Sequence, residues 1–263
     1  MSDFSLLNYT YDDIMGDAAL LNFSINRDFV DKIPLIKMAQ LLQPNLKIIV
    51  TPWTAPAWLK TSGFRGNGTL LDNNETFVIY ANYLLRCLQA YADANVTVDY
   101  LTLQNEPLHD DCGNMPCMSL STDQAIQLAM ILGPHIDKIR TRLLAYDHNW
   151  DIPDYPITIL KSEAGKYFAG TAFHCYAGDV IAQTLVNNEF PQKEMHVTEC
   201  SGGTWSPNFG SNLIWEMQTL FIGNANNFGQ STLYWNLALN EVRLRVGRFR
   251  IFSSLLIFFL LLL

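Results

Sequence analysis

The chain has 263 residues, a formal net charge of -8 at pH 7 and 49% hydrophobic residues, enough for one α/β barrel or two small domains around a large core. Only 16% of its residues are charged, so no basic surface is available to neutralise a phosphate backbone, and nucleic-acid binding is disfavoured. Aromatic residues reach 12%, six of them Trp, and such flat rings fill cores or stack on the apolar faces of sugars.

Met1-Ser2-Asp3-Phe4 opens into polar, turn-like sequence with no basic-then-apolar run, so no signal peptide is visible; either the protein is cytosolic or its true start lies upstream. Five Asn-x-Ser/Thr triplets, beginning at Asn8, Asn22, Asn67, Asn74 and Asn95, favour secretion. Spacing predicts a helix over 33–42 and a β-branched strand over 46–50 that stops at Pro52-Trp53. A Gly/Asn-rich loop over 61–74 precedes a helix over 77–92 and a strand over 98–103. Cys112 and Cys117 share a Gly/Pro-containing loop and suit a local disulfide; a lone C-x4-C without a second ligand pair is not a zinc pattern. Next come a helix over 122–140, a strand over 142–146, a Pro-rich connection, a strand over 171–176, a helix over 180–187 and a strand over 194–198. A helix over 213–224 leads into a last strand over 231–237.

Strands alternating with helices imply a parallel sheet with right-handed crossovers. Each of the six strands ends in polar or aromatic residues: Trp53, Glu106, the run Asp147-His148-Asn149-Trp150, His174 with Tyr176, Glu199, and Trp235 with Asn236. Chemistry-bearing side chains at one end of every strand are the layout of a (β/α)8 TIM barrel, here incomplete, with strands 3 to 8 present and strands 1 and 2 missing. An open doubly wound sheet is the alternative, but no Gly-x-Gly-x-x-Gly turn follows any strand. The barrel domain is expected over 1–241 and an aberrant tail over 242–263. That tail is basic to Arg250 and then apolar for thirteen residues, which as a helix would span about 20 Å, short of the roughly 30 Å hydrocarbon core, so a membrane anchor is disfavoured. It reads as translated intron or frameshifted sequence: every valine codon begins GT, as a splice donor does, and pyrimidine-rich message encodes Phe, Ser, Leu and Ile. One continuous mature reading frame through codon 263 would overturn that expectation.

Glu106 and Glu199, about ninety residues apart in sequence, each close a β-run and precede turn residues. Two glutamates facing one pocket suit glycoside hydrolysis, in which one carboxyl protonates the leaving oxygen and the other attacks or stabilises an oxocarbenium-like carbon. No cofactor is implied, because the two carboxyls suffice. Glu194, at the opposite end of its strand, is expected to face solvent, and Trp58, Trp150 and Trp205 to pack or anchor loops.

With these residues in place, the chain resembles glycoside hydrolase family 30, the lysosomal glucosylceramidase group together with fungal endo-β-1,6-glucanases. The resemblance runs through Ser2-Asp3-Phe4-Ser5, Tyr9-Thr10-Tyr11, Pro52-Trp53-Thr54-Ala55-Pro56-Ala57-Trp58-Leu59-Lys60, Asn105-Glu106-Pro107, Phe173-His174-Cys175-Tyr176, Thr198-Glu199-Cys200-Ser201-Gly202 and Tyr234-Trp235-Asn236-Leu237-Ala238-Leu239-Asn240. It implies a retaining double displacement with Glu106 as acid/base and Glu199 as nucleophile. It also implies that Asn105 bonds the sugar 2-hydroxyl, that Trp53 and Trp235 line the glucose pocket, and that His174 and Tyr176 flank the nucleophile. Structural hydrogen bonding is an equal alternative for His174, and for Asp147 with His148 a satisfied polar pair stands beside a distal sugar contact. Ionised Glu199 is expected to raise the proton affinity of Glu106, keeping it protonated as the initial acid.

The substrate implied is a β-glucoside, either glucosylceramide or β-1,6-glucan, with Tyr146-Asp147-His148-Asn149-Trp150-Asp151 favouring the glucan. A full-length product would be secreted or lysosomal/vacuolar. Family members carry two further strands upstream and a β-sandwich downstream, so a polypeptide of these residues alone, with open edges, is expected to fold poorly and be nearly inactive. A catalytically dead carbohydrate-binding protein is the rival class. Oligomeric state is not indicated.

Overall fold

The computed structural model describes residues 9–236 apart from 110, 114, 137 and 203–205. The expected tail, the end of the last strand at Leu237 and Trp205 lie outside the described residues. After a 3-10 turn at Asn26–Phe29 come α1 (Lys32–Leu42), β1 (Ile49–Val50), α2 (Asn74–Asp93), β2 (Tyr100–Thr102), α3 (Thr122–Ile136) and β3 (Arg142–Asn149). They are followed by α4 (Asp154–Lys161), β4 (Phe168–His174), α5 (Ala182–Glu189), β5 (Glu194–Glu199), α6 (Phe209–Glu216), α7 (Asn224–Asn226) and β6 (Gly229–Thr232). A π-helical stretch, Met217–Gly223, joins α6 to α7, so the helix expected over 213–224 is longer and changes its winding midway.

Local chemistry explains the helix boundaries. In α2 the Asn73 side chain accepts from the Thr76 N–H at 2.9 Å, capping the first turn. Phe77, Tyr80, Ala81, Leu84, Leu88 and Tyr91 then recur at helical spacing and are buried. The chain leaves the helix through Asn95, whose φ is +58°, a left-handed exit that asparagine tolerates. The Pro-rich connection expected after β3 is instead α4. Its Asp154 and Pro156 occupy the first turn, where a missing N–H costs no helical bond, while Ile157, Ile159 and Leu160 are buried.

All six strands pair in parallel, in the order β1-β2-β3-β4-β5-β6. An unreversed order with right-handed crossovers puts the helices on one face, which rules out the doubly wound alternative. The sheet is also rolled. β2 and β5 lie three strands apart, about 14 Å in a flat sheet. Yet the Tyr100 hydroxyl on β2 donates to Glu194 Oε2 on β5 at 3.0 Å. Gly170 lets β4 close on β5, since a Cβ there would lie 2.0 Å from the Glu194 carbonyl oxygen. The main core, with Ile33, Phe77, Tyr80, Leu128, Leu132, Phe168 and Phe173, fills the space between sheet and helices. On the opposite, inner face a small cluster of Ile49, Tyr100, Leu144, Ala172 and Leu233 packs separately. Six rolled parallel strands with helices outside form an incomplete (β/α)8 barrel, as the strand pattern predicts; among the described residues β1 and β6 do not pair.

The expected local disulfide, Cys112–Cys117, is present, and Cys175–Cys200 forms a second that the spacing did not announce; Cys87 is free and buried. Glu194 is half-buried and paired rather than turned to open solvent. It takes Arg142 Nη1 at 2.6 Å, the Tyr100 hydroxyl at 3.0 Å and His196 Nε2 at 3.2 Å, because the N-terminal end of its strand points into the barrel floor. Trp58 and Trp150 anchor loops as expected: Trp58 Nε1 donates to the Asp12 carbonyl, and buried Trp150 Nε1 donates to Gln183 Oε1.

Candidate active site

The C-terminal ends of the strands deliver the expected residues to one mouth. Beyond β2, the Asn105 N–H donates to the Pro52 carbonyl at 2.8 Å and the Glu106 N–H to the Asp147 carbonyl at 2.9 Å, tying this turn to its neighbours on both sides. Glu106 has φ +45°, a left-handed conformation that costs a non-glycine residue on the order of 1 kcal/mol and is held here by both bonds. The following Pro107 disfavours the right-handed alternative.

β3 makes a sharper departure. Tyr146 and Asp147 are both left-handed, with φ of +81° and +67°, and the register jumps between Tyr146 and His148, so Asp147 is an extra residue in the ladder. The bulge aims Asp147 into the barrel, where it is 1% exposed. Its Oδ1 accepts from Thr198 at 2.6 Å and pairs with His174 Nε2 at 3.1 Å; its Oδ2 accepts from Thr102 at 2.8 Å and Thr51 at 3.1 Å. Of the two alternatives for Asp147, the satisfied polar role is the one observed, with His174 rather than His148 as partner.

His174, 1% exposed, uses its other nitrogen on the first glutamate, with Nδ1 3.1 Å from Glu106 Oε1. His109 Nδ1 lies 3.1 Å from Glu106 Oε2, and His148 Nδ1 3.7 Å from Oε1. Glu199, at the end of β5, is the Cα partner of His174, and its Oε1 accepts from the Tyr176 hydroxyl at 3.0 Å. That hydroxyl also lies 3.4 Å from Ser201 Oγ, and the Tyr176 N–H donates to Asn149 Oδ1 at 3.0 Å. Glu106, His174, Tyr176 and Glu199 therefore form one connected group. The other three expected residues sit nearby and are fixed through their backbones. The Trp53 carbonyl accepts from Gln104 Nε2, Asn105 is buried, and the Trp235 N–H donates to the Cys200 carbonyl at 2.9 Å. Trp53 also borders a cleft beside β1 with Tyr11, Val50 and Tyr83.

The protons lie differently from expectation. Burial pushes the Glu106 carboxyl up, but the imidazoles of His148, His174 and His109 gathered around it prevail and hold it well below the usual carboxylate range. Glu199 moves the other way. Burial, with the charges of Glu106 and Asp147 added and His174 opposing, pushes it up to about 7. Burial also pulls His174 down, yet the charge of Glu199 and its bonds to Asp147 and Glu106 raise it well above the ordinary imidazole value. In the unliganded protein the imidazoles thus reverse the expected effect of Glu199 on Glu106.

His109, His148 and the Asp147 hub escaped sequence reasoning as parts of the Glu106 environment. Cys175, between His174 and Tyr176, and Cys200, next to Glu199, carried a signal that neighbouring strand ends could be bridged. For metal binding, the described residues offer one group: Glu106, His148 and His174 present ligand atoms all within 4.8 Å of one another.

The Glycosyl hydrolase family 30 TIM-barrel domain matches residues 1–242. An endo-1,6-beta-D-glucanase of Aspergillus fumigatus is 33% identical over 253 residues, covering 88% of this chain and 50% of that protein. Putative glucosylceramidase 2 of Caenorhabditis elegans is 32% identical over 220 residues, covering 78% of this chain and 43% of that protein. Among solved structures, the endo-β1,6-glucanase BT3312 superposes with a TM-score of 0.85 at 29% identity, covering 92% of this chain and 57% of that one. The chain spans about half the length of the curated relatives it matches. Rolled parallel sheet, mouth residues and matched span agree: the chain belongs to glycosyl hydrolase family 30.

Proposed function

We propose that the protein cleaves β-linked glucose by a retaining double displacement, with Glu106 as acid/base and Glu199 as nucleophile, and that its substrate is β-1,6-glucan rather than glucosylceramide. The observation that carries this reading is the placing of the two carboxyls at the ends of β2 and β5, coupled through one buried imidazole. The glucan preference draws on the Tyr146–Asp151 run and on the similarity to endo-1,6-glucanases. Disulfides at Cys112–Cys117 and Cys175–Cys200, with the sequons, support passage through an oxidising secretory route to the exterior or to a lysosomal or vacuolar compartment. No helix among the described residues is long and apolar enough to cross a membrane.

The unliganded proton arrangement is one transfer away from the reactive one. With His174 charged, a proton on Glu199 and a charge on Glu106 make up the same total as a proton on Glu106 and a charge on Glu199. A bound glucoside favours the second arrangement, because its glycosidic oxygen accepts from protonated Glu106 while its anomeric carbon gains positive charge beside Glu199. The C–O bond breaks as Glu106 gives its proton to the leaving oxygen and Glu199 bonds the anomeric carbon. Glu106, now a carboxylate, takes a proton from water, whose oxygen attacks the same carbon and frees Glu199. The Tyr176 hydroxyl stabilises the departing Glu199 carboxylate through the bond already present.

A 2-deoxy-2-fluoro-β-glucosyl fluoride tests this scheme. Peptide mapping of the treated protein should find one glucosyl adduct, on Glu199. An adduct on another residue, or saturable binding with neither adduct nor turnover, overturns the reading, the latter in favour of a binding protein. Release of gentio-oligosaccharides from β-1,6-glucan, against ceramide from glucosylceramide, decides the substrate.

A further inference from the structure

We propose that the mouth of the barrel holds a borderline transition-metal cation, Zn2+, on Glu106, His148 and His174, and that the bound ion shuts the site off. The donor set is already gathered. Glu106 Oε1 lies 3.1 Å from His174 Nδ1 and 3.7 Å from His148 Nδ1, and all three ligand atoms fall within 4.8 Å of one another. Tetrahedral Zn2+ with bonds of about 2.0 to 2.1 Å needs donors roughly 3.3 Å apart, a value the two measured separations bracket.

Two further features point to an ion rather than to a hydrogen-bonded cluster. His148 Nδ1 is buried and has no hydrogen-bond partner, an arrangement that is costly unless its lone pair is used. His174 is oriented as metal-binding imidazoles are: its Nε2 faces a buried carboxylate, Asp147 Oδ1 at 3.1 Å, which leaves Nδ1 for the metal. Asp147 is itself fixed by Thr51, Thr102 and Thr198, so this supporting bond is rigid. Two imidazoles and a carboxylate suit Zn2+ or Cu2+ better than Mg2+ or Ca2+, which prefer oxygen donors throughout.

Binding displaces the proton lying between His174 and Glu106, and Glu106 coordinated to a metal can neither give nor take a proton. The inhibitory effect rests on the role proposed for Glu106; the binding itself does not.

One equivalent of Cu2+ added to the purified protein at pH 7 should give an EPR spectrum with superhyperfine coupling from two imidazole nitrogens, and Zn2+ should abolish it by competition. His148→Phe should remove one of the two couplings and weaken Zn2+ binding by at least about 10-fold, and His148→Gln should do the same should the Phe variant fail to fold. A wild-type spectrum without two-nitrogen coupling, or one unchanged in both variants, overturns the site. Zn2+ at saturating concentration should suppress aryl β-glucoside turnover reversibly with EDTA; turnover that continues with the ion bound overturns the inhibitory role. Failure of metal-free protein to form the glucosyl adduct on Glu199, with the two-nitrogen spectrum intact, would count against the hydrolase reading and leave the metal site standing.

Discussion

The floor and the mouth of the barrel are built from the same kinds of residue and behave oppositely. On the floor, Glu194 meets Arg142, the Tyr100 hydroxyl and His196, and Arg142 also bonds the Tyr100 hydroxyl. Burial raises Glu194, but His196, Tyr100 and the guanidinium outweigh it and bring the carboxyl down to about 2. At the mouth, Glu106, Asp147 and Glu199 surround His174, and no Lys or Arg pairs with any of them among the described residues. A fixed cation ends proton exchange on the floor. Its absence at the mouth leaves imidazoles to supply the positive charge, so protons remain near neutrality on groups able to pass them on. The difference between a structural and a reactive carboxylate cluster lies here in the cation, not in the acids.

Exchanging a glutamate for glutamine in each layer tests that contrast most severely. Glu106→Gln should lower turnover of an unactivated β-glucoside by about 10² to 10⁴-fold, the range for losing a general acid/base. Glu199→Gln should lower it at least as much, with no glucosyl adduct. Glu194→Gln should leave kcat within a few-fold and cost about 1 kcal/mol in urea melts, because this pair is partly exposed and solvent-screened. If Glu194→Gln abolished turnover as Glu106→Gln does, the division into a structural floor and a reactive mouth would fail.

The two disulfides allow a second comparison. Cys175–Cys200 closes 25 residues and links the chain neighbours of His174, Tyr176 and Glu199, whereas Cys112–Cys117 closes 5 in a loop. Loop-closure entropy gives about 3.5 kcal/mol for the first and about 2 for the second. Replacing Cys175 and Cys200 with serine should in addition lower kcat at temperatures where the variant remains folded, since Tyr176 would lose its fixed position on Glu199. Replacing Cys112 and Cys117 should change melting temperature and leave kcat unaltered.

The mouth also sets a pH dependence near neutrality, whereas that of the floor, from Glu194 held at about 2, lies in acid. Glu199 is pushed from an ordinary 4.5 to about 7 in the folded protein, so between those values the native state binds more protons than the unfolded one. Its contribution is therefore fully present below about pH 4.5 and is lost as pH rises through 7, a decline of up to about 3 kcal/mol. Urea melts from pH 4.5 to 8 should show the wild type losing stability relative to Glu199→Gln over this window. Parallel curves would place Glu199 in a less buried, ordinary environment.

Much of the barrel was legible because its signals are local. Ile48-Ile49-Val50 stops at Pro52, and helical spacing from Phe77 to Tyr91 is unbroken. Both glutamates could be placed on strand ends from the β-formers before them and the turn residues after them. Other features needed the fold first. The prolines of α4 read as loop because first-turn and breaking prolines look alike in a sequence. Cys175 and Cys200 pair only because β4 and β5 are neighbours, and 25 intervening residues do not say so. Asp147 turns inward through two successive left-handed residues, Tyr146 and Asp147, neither a glycine, so nothing in their chemistry marked a bulge. The charge on Glu106 was misjudged because it depends on His109, His148 and His174, drawn from three loops and strands, and not on Glu199 alone.

The smallest expected effect concerns His109, the most exposed of those three imidazoles, with 47% of its side chain accessible. Its Nδ1 lies 3.1 Å from Glu106 Oε2, the oxygen that neither His148 nor His174 approaches most closely. Removing it by His109→Ala takes away a donor to the ionised form of Glu106 and so raises the affinity of that carboxyl for a proton. Because the pair is open to solvent, the change is screened, and kcat/KM at its optimum should move by less than about three-fold. The direction is the informative part. In the unliganded protein Glu106 titrates below Glu199, so a variant in which Glu106 holds its proton more tightly shifts the acid limb of the kcat/KM profile upward, and a Glu106 serving only as a structural anion would leave that limb in place. An unmoved limb with a lowered melting temperature would therefore make His109–Glu106 a structural pair of the kind found on the floor, and the contrast between the two layers would narrow to Glu199 and His174.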